Sequence, residues 1–281
     1  MGDIIMKKIF GLVQLNSKLN DKGTNLKKLD SLISKEVKKA DLYILPEFFN
    51  IGYDLESINN YAENLAEIIP DGETTQEVVR IAKKYNISIV ANILEKDPLI
   101  IGKYYDTSIL IDESGKLLGK YRKIFVFPKE KFRLSEGTSI EIIDWKGIKI
   151  GLSICYDHAF PELYRIMALR GAQILIITSA VPKGFEKLVE VRTSARAQDN
   201  QLFAIGVNAV GKPSEDSIPF CGNSIAVDPH GDTLIKLGDE EDVIAKVSID
   251  TDKILEERLL EPSLHEIKML KIYDGIDFRI D

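Results

Sequence analysis

Three residues suited to covalent hydrolysis each stand at a predicted strand end or in the loop just after it: Glu47, Lys123 and Cys155. Before Cys155, Ile148, Ile150, Leu152 and Ile154 alternate with Lys149, Gly151 and Ser153. A period of two is the pattern of a strand with one apolar face. Pro161 and Glu162 then open a segment with Leu163, Ile166, Met167 and Leu169 at helical spacing, closed by Gly171. A thiol at a strand-to-helix turn can face a cleft near the positive end of a helix, which favours the nucleophilic thiolate. The competing reading is a small buried core residue. Glu47 follows Pro46 at the end of a second apolar run, among Phe48, Phe49, Ile51 and Tyr53. A carboxylate among aromatics needs a partner or a proton unless it lies on the surface. Lys123 closes the basic stretch GKYRK and leads into Ile124, Phe125, Val126 and Phe127. It needs a counter-charge there, unless it snorkels to the surface beside Lys120 and Arg122.

The chemistry such a set offers is acyl transfer. Acyl compounds that are poor electrophiles call for a strong nucleophile, and a thiol is only a few per cent thiolate near neutral pH without a base or cation beside it. A carboxylate can act as that base, and an ammonium can stabilise both the thiolate and the oxyanion that follows.

The elements that must position these groups alternate between the two periodicities. Strands are predicted over 8–15, 41–45, 87–94, 173–178 and 202–208, and hairpins over 104–112 with 116–123 and 140–144 with 148–154. Short antiparallel strands are predicted over 224–228, 233–236 and 243–247, with a turn at Pro229, His230 and Gly231. Helices are predicted over 20–40, with Leu26, Leu29, Leu32, Ile33 and Val37 on one face, over 74–85, with Thr74 as a possible cap, and over 186–200. Trp145 reads as a partly exposed turn aromatic, Cys221 as a small core residue, and Asp157 as a cap or turn acceptor for the helix near Pro161. This mixture defines an α/β fold with mixed sheets. A length of 281 residues with 44% hydrophobic content suits one large domain, since no linker-like stretch divides it.

A net charge of −7 with both signs dispersed argues against a nucleic-acid groove or an anionic membrane surface. Two cysteines and three scattered histidines give neither a disulfide framework nor a histidine metal cluster. No long apolar run or leader pattern appears, so the expected location is the cytoplasm. Met6 offers a second start, and residues 1–5 read as an alternative start or a cloning remnant.

The segments YILPEFFNIGYD, GKYRKIFVFPKEK and KIGLSICYDHAFPE together resemble the carbon–nitrogen hydrolase (nitrilase) superfamily, with its Glu, Lys and Cys in the family's order. The resemblance runs from about Lys8 to about Ile249. It implies a four-layer α-β-β-α sandwich with two mixed β-sheets, usually paired as a homodimer through the helix after the cysteine and the helix ending near Asn200. The tail over 250–281 often crosses to the partner, although here it departs from the arginine-rich family ending. The resemblance assigns Cys155 as nucleophile, Glu47 as general base and Lys123 as stabiliser of thiolate and oxyanion. The backbone N–H of Tyr156 becomes a second oxyanion donor. Glu130 becomes a second glutamate holding the lysine or orienting substrate, against its plain reading as one charge in a solvated run. Tyr53 is a candidate pocket wall. Arg192 and Arg196 lie on a helix matching the family's R-A-x-E-N, where structural ion pairs are the preferred reading. His158 and Ala159 stand where many amidase branches carry an arginine before the phenylalanine, here Phe160, a departure that bears on the substrate. No metal or organic cofactor is required.

The preferred function is therefore hydrolysis of a small aliphatic amide or an N-carbamoyl amine through a thioester, with ammonia released. A true nitrilase using the same triad is the first alternative. A metal-dependent phosphohydrolase would want His–Asp pairs, and a non-catalytic binding protein would not need the intact triad. The loops over 50–60, 128–137 and 180–186 are expected to shape the pocket.

Overall fold

The computed structural model describes residues 7–269. The remnant expectation for residues 1–5, and the last part of the tail expectation, fall outside them. Along the chain come β1 Lys7–Gln14, α1 Lys22–Lys35, β2 Leu42–Ile44, α2 Leu55–Leu65, α3 Glu73–Tyr85, β3 Ser88–Lys96, β4 Tyr104–Ile111 and β5 Leu117–Arg122. The second half supplies β6 Ile142–Trp145, β7 Ile148–Ile154, α4 Pro161–Leu169, β8 Ile174–Ser179, α5 Glu186–Asn200 and β9 Phe203–Asn208. A ribbon, β10 Val210–Gly211 with β11 Phe220–Cys221, is followed by β12 Ile225–Val227, β13 Thr233–Lys236, β14 Val243–Asp250, α6 Asp252–Leu260 and α7 Ser263–Met269.

The strands make two six-stranded mixed sheets, ordered β14-β1-β2-β3-β4-β5 and β13-β12-β9-β8-β7-β6. Alternation along each strand decides the layers. In the first sheet Phe10, Leu12, Leu42, Ile44, Val90 and Leu110 face the second sheet and share its core. Their neighbours Val13, Tyr43, Ile89, Ala91 and Ile109 pack outward on α1 and α3. The second sheet is covered in turn by α4 and α5, through Leu163, Met167, Val189 and Ala197. The result is the α-β-β-α sandwich, with one core between the sheets.

Four expectations change. Trp145 is fully buried: its ring meets Phe10 edge-on at 5.6 Å and its indole N–H donates to Ser88 Oγ at 2.8 Å. It ends a strand facing the other sheet, so it closes the inter-sheet core opposite the site. Val37 does not complete the face of α1, because the helix stops at Lys35 and Glu36 turns to extended backbone, leaving Val37 in solvent. Thr74 lies inside α3, where Gly72 is the cap, and its hydroxyl donates to Glu67. The 50–60 segment is a loop only in part, since α2 begins at Leu55, capped by Asp54 accepting from the Ser57 N–H. Asp54 followed by Leu55, Ile58, Ala62 and Leu65 at helical spacing was the available signal. Among the described residues, no helix is long and apolar enough to cross a membrane.

Candidate active site

The inter-sheet face becomes polar towards one end of the strands, and the candidate residues gather there. On β3 the inward series runs Ser88, Val90, Asn92; on β4 it runs Leu110, Ser108, Asp106. Glu47 and Lys123 lie just beyond β2 and β5, and Cys155 just beyond β7 of the opposite sheet. Two contacts tie the halves together. Asn92 Nδ2 lies 3.2 Å from Ser108 Oγ, which pairs at 3.0 Å with Thr178 Oγ1 on β8. One residue on, the carbonyl of Ser179 accepts the N–H of Glu47 at 3.3 Å.

Lys123 is fully buried, and its ammonium sits among three carboxylates. It donates to Glu47 Oε1 at 2.8 Å, to Glu130 Oε2 at 3.0 Å and to Asp106 Oδ2 at 3.2 Å. The three carboxylates lie close enough together to suggest a metal site. The lysine nitrogen occupies their centre, so they act as its counter-charges. Gly137 closes this corner: its N–H donates to the Lys123 carbonyl at 2.8 Å, and a Cβ there would stand 2.1 Å from the Arg122 carbonyl oxygen.

Glu130 is thus a buried member of the site, against its plain reading as a solvated charge. It also accepts the Tyr53 hydroxyl at 2.7 Å and the Phe127 N–H at 2.9 Å. Tyr53 stacks on Phe48 and meets Phe220 edge-on, which fits a wall residue. Burial and the Glu130 charge hold its phenol well above the usual range, so it remains a donor. Burial likewise raises Glu47 well above the usual carboxylate range, with Lys123 pulling down and Asp106 and Glu130 pushing up. Glu47 Oε2 is buried with no donor among the described residues.

Cys155 carries φ = 44°, a left-handed conformation that costs a non-glycine residue about 1–3 kcal/mol and clusters at functional sites. It opens a 3-10 turn, Cys155–Ala159, ahead of α4. Asp157 holds that turn: it accepts the N–H groups of Ile154 at 2.9 Å and Phe125 at 2.8 Å, and the Tyr121 hydroxyl at 2.8 Å. Its side chain therefore binds the cysteine turn to the lysine loop, and it is no cap of α4. The expected low thiol pKa is corrected. Burial and the Glu47 charge push it well above the usual value, Lys123 pulls it down, and the Ala180 N–H helps to lower it.

The remaining candidates lie outside this cluster. Cys221 is buried and accepts the Asn208 amide at 3.1 Å. Arg196 is buried, lies 3.5 Å from Asp199 and rests over the Tyr164 ring, in keeping with a structural ion pair. Burial, then Arg192, holds His158 down to about 3, so it is neutral near pH 7. Sequence reasoning missed Asp106 and Asn92. Their signal was a polar residue that shares a face with apolar ones, Asn92 with Val90 and Asp106 with Leu110.

A cysteine at a strained strand end, beside a carboxylate–ammonium cluster between two sheets of a four-layer sandwich, defines the class of thiol-dependent hydrolases. The chain belongs to the carbon–nitrogen hydrolase family, whose model matches residues 10–257. It is 32% identical to an (R)-stereoselective amidase of a Pseudomonas species, over 86% of this chain and 85% of that protein. It superimposes on Nit3 of Saccharomyces cerevisiae, a member of branch 10 of the nitrilase superfamily, with a TM-score of 0.83 and 33% identity over 91% of this chain and 94% of that one. A variant of the amidase of Nesterenkonia sp. AN1, with acrylamide added to its active-site cysteine, matches at a TM-score of 0.77 and 27% identity, covering 93% of this chain and 99% of that one. The chain is accordingly a hydrolase of carbon–nitrogen bonds other than peptide bonds.

Proposed function

We propose that this enzyme hydrolyses small aliphatic amides or N-carbamoyl amines, with Cys155 as nucleophile, Glu47 as general acid and base, and Lys123 as the cationic stabiliser. The observation that carries this reading is the buried Lys123 ammonium shared by Glu47 and Glu130, with its charge acting on the Cys155 thiol. As Cys155 Sγ attacks the carbonyl carbon, its proton passes to Glu47. Lys123 and the Tyr156 N–H receive the oxyanion. Glu47 returns the proton to the departing ammonia or amine, leaving a thioester on Cys155. Glu47 then takes a proton from water, whose oxygen displaces the sulfur and frees the acid, and Glu47 passes that proton to the departing Cys155 thiolate. Glu130 anchors Lys123, and Tyr53 orients Glu130 from the pocket side. The amidase character of the Pseudomonas and Nesterenkonia relatives favours amides over nitriles.

The test is ammonia release from a panel of amides, carbamoyl compounds and nitriles. Turnover of short amides or carbamoyl compounds at least about tenfold above nitriles is the expected result. A preference for nitriles would make the enzyme a nitrilase, and no turnover in any class would favour a binding role.

We further infer one domain over the whole chain, a cytoplasmic location, and a homodimer joined through α4, α5 and the tail. Val191 on α5 and Leu255, Leu259 and Leu260 on α6 are exposed apolar side chains of the kind a partner subunit covers. Sedimentation equilibrium at micromolar protein should give twice the 31.6 kDa chain mass, and a monomer would exclude this interface.

A further inference from the structure

We infer that Asp106 is a third acidic member of the site, a positioning residue that fixes Lys123 from β4 and acts on the reaction through Glu47 by its negative charge. The inference rests on the proposed role of Glu47. Asp106 is completely buried in an inward position of β4, two residues from Ser108 and four from Leu110 on the same face. Its two oxygens have separate tasks. Oδ2 accepts Lys123 Nζ at 3.2 Å, and Oδ1 accepts Asn92 Nδ2 at 2.7 Å. Asn92 in turn accepts the Phe48 N–H at 2.7 Å through Oδ1. Phe48 carries φ = 47° and immediately follows Glu47, so the Asp106–Asn92 pair secures the strained peptide that aims the general base. One residue thereby sets the position of both partners of Cys155.

Charge gives it a second effect. Three carboxylates surround one ammonium, an excess of two negative charges in a buried volume if all are ionised. Such a cluster retains protons, and each added negative charge makes its neighbours better bases. Glu130 is committed to three donors, from Lys123, Tyr53 and Phe127. Glu47 receives only the Lys123 ammonium at its side chain, and its Oε2 is without a donor among the described residues. Proton uptake therefore falls to Glu47, next to Asp106. The titratable and charged groups facing Glu47 are Lys123, Asp106, Glu130, Tyr53 and Cys155. Lys123 opposes proton uptake, and of the carboxylates only Asp106 comes from the first sheet's strands themselves.

The test compares wild type with Asp106→Asn, which keeps the shape and the Asn92 contact, and with Asp106→Ser, which leaves more room should the amide pack poorly. Two profiles are measured against pH: kcat/KM on the best substrate of the panel, and the rate of Cys155 alkylation by iodoacetamide read by intact mass. Alkylation needs no turnover, so it tests the coupling even if the assigned substrate class is wrong. Without the Asp106 charge, Glu47 holds its proton less tightly and the thiol faces less negative charge. The acid limb of both profiles should then move to lower pH by about one unit, with kcat about tenfold to a hundredfold lower and KM within about threefold. Limbs that stay in place in a folded variant would overturn the inference, whatever happens to kcat, because a purely structural residue lowers activity without moving a titration. An unfolded outcome for both variants would overturn it also, by placing Asp106 in the fold rather than in the reaction.

Discussion

Cys155→Ala should lose at least about a thousandfold in turnover while melting close to wild type. The two halves of this expectation have separate physical causes. Among the described residues no other free nucleophile stands in the cluster: Glu47, Asp106 and Glu130 are engaged with Lys123, and Cys221 lies behind the Asn208 amide. What remains is binding and oxyanion stabilisation, which alone give only a small part of such catalysis. Stability changes little because the thiol contributes a small apolar surface, worth about 1 kcal/mol or less after truncation to a methyl group. Alanine also keeps the strained turn, which is held by the three hydrogen bonds of Asp157 rather than by Cys155. Ammonia release and a thermal melt on the same preparation check both halves. Retained turnover would remove the thioester mechanism. A large drop in melting temperature would mean that the thiol supports the turn after all.

The degree to which this site was legible in the sequence follows from the kind of signal each residue left. Glu47 and Cys155 follow apolar runs and Lys123 closes a predicted strand, and a strand end is local information that periodicity exposes. Helix α5 and strand β13 fall on the predicted bounds for the same reason. Trp145 was misjudged because its turn is local while its partners, Phe10 and Ser88, come from distant strands of the other sheet. Asp106 was overlooked because the polar run Asp106, Thr107 and Ser108 reads as an interruption of the strand until the strand is paired and its inward face is known. Register supplies that face: Asn92 pairs with Ser108 and Leu94 with Asp106. The direction of the thiol pKa was missed for a related reason. A helix start is visible in the sequence, whereas enclosure and the facing Glu47 charge exist only after the sheets close on each other.

Lys123→Met should damage fold and reaction together, and this contrast with Cys155→Ala separates a structural cation from a purely chemical group. Methionine fills a similar volume, so packing is nearly kept and the change is chiefly electrostatic. Removing one partner of a buried ion pair costs about 3–5 kcal/mol, because the other charge is left in a poorly solvating interior. Here Glu47, Asp106 and Glu130 all lose their donor at once. Activity should fall at least about a hundredfold to a thousandfold, the cost of losing one oxyanion donor, with the disorder of Glu47 added to it. The pH dependence gives a further check. Glu47 and Asp106 already lie above their ordinary carboxylate values in the folded enzyme, and loss of the ammonium removes the neighbour that lowers both. A carboxyl with a raised folded value keeps its proton in the folded state and releases it on unfolding, so stability falls as pH rises from the unfolded value of about 4 towards the folded one. The destabilisation of Lys123→Met relative to wild type should therefore be greatest near neutral pH and shrink towards pH 4 to 5, where Glu47 and Asp106 can be neutral without a partner. Urea denaturation of both proteins across this range measures it. A difference independent of pH would show that Lys123 contributes by packing, and the carboxylates would then have to be balanced by some other charge.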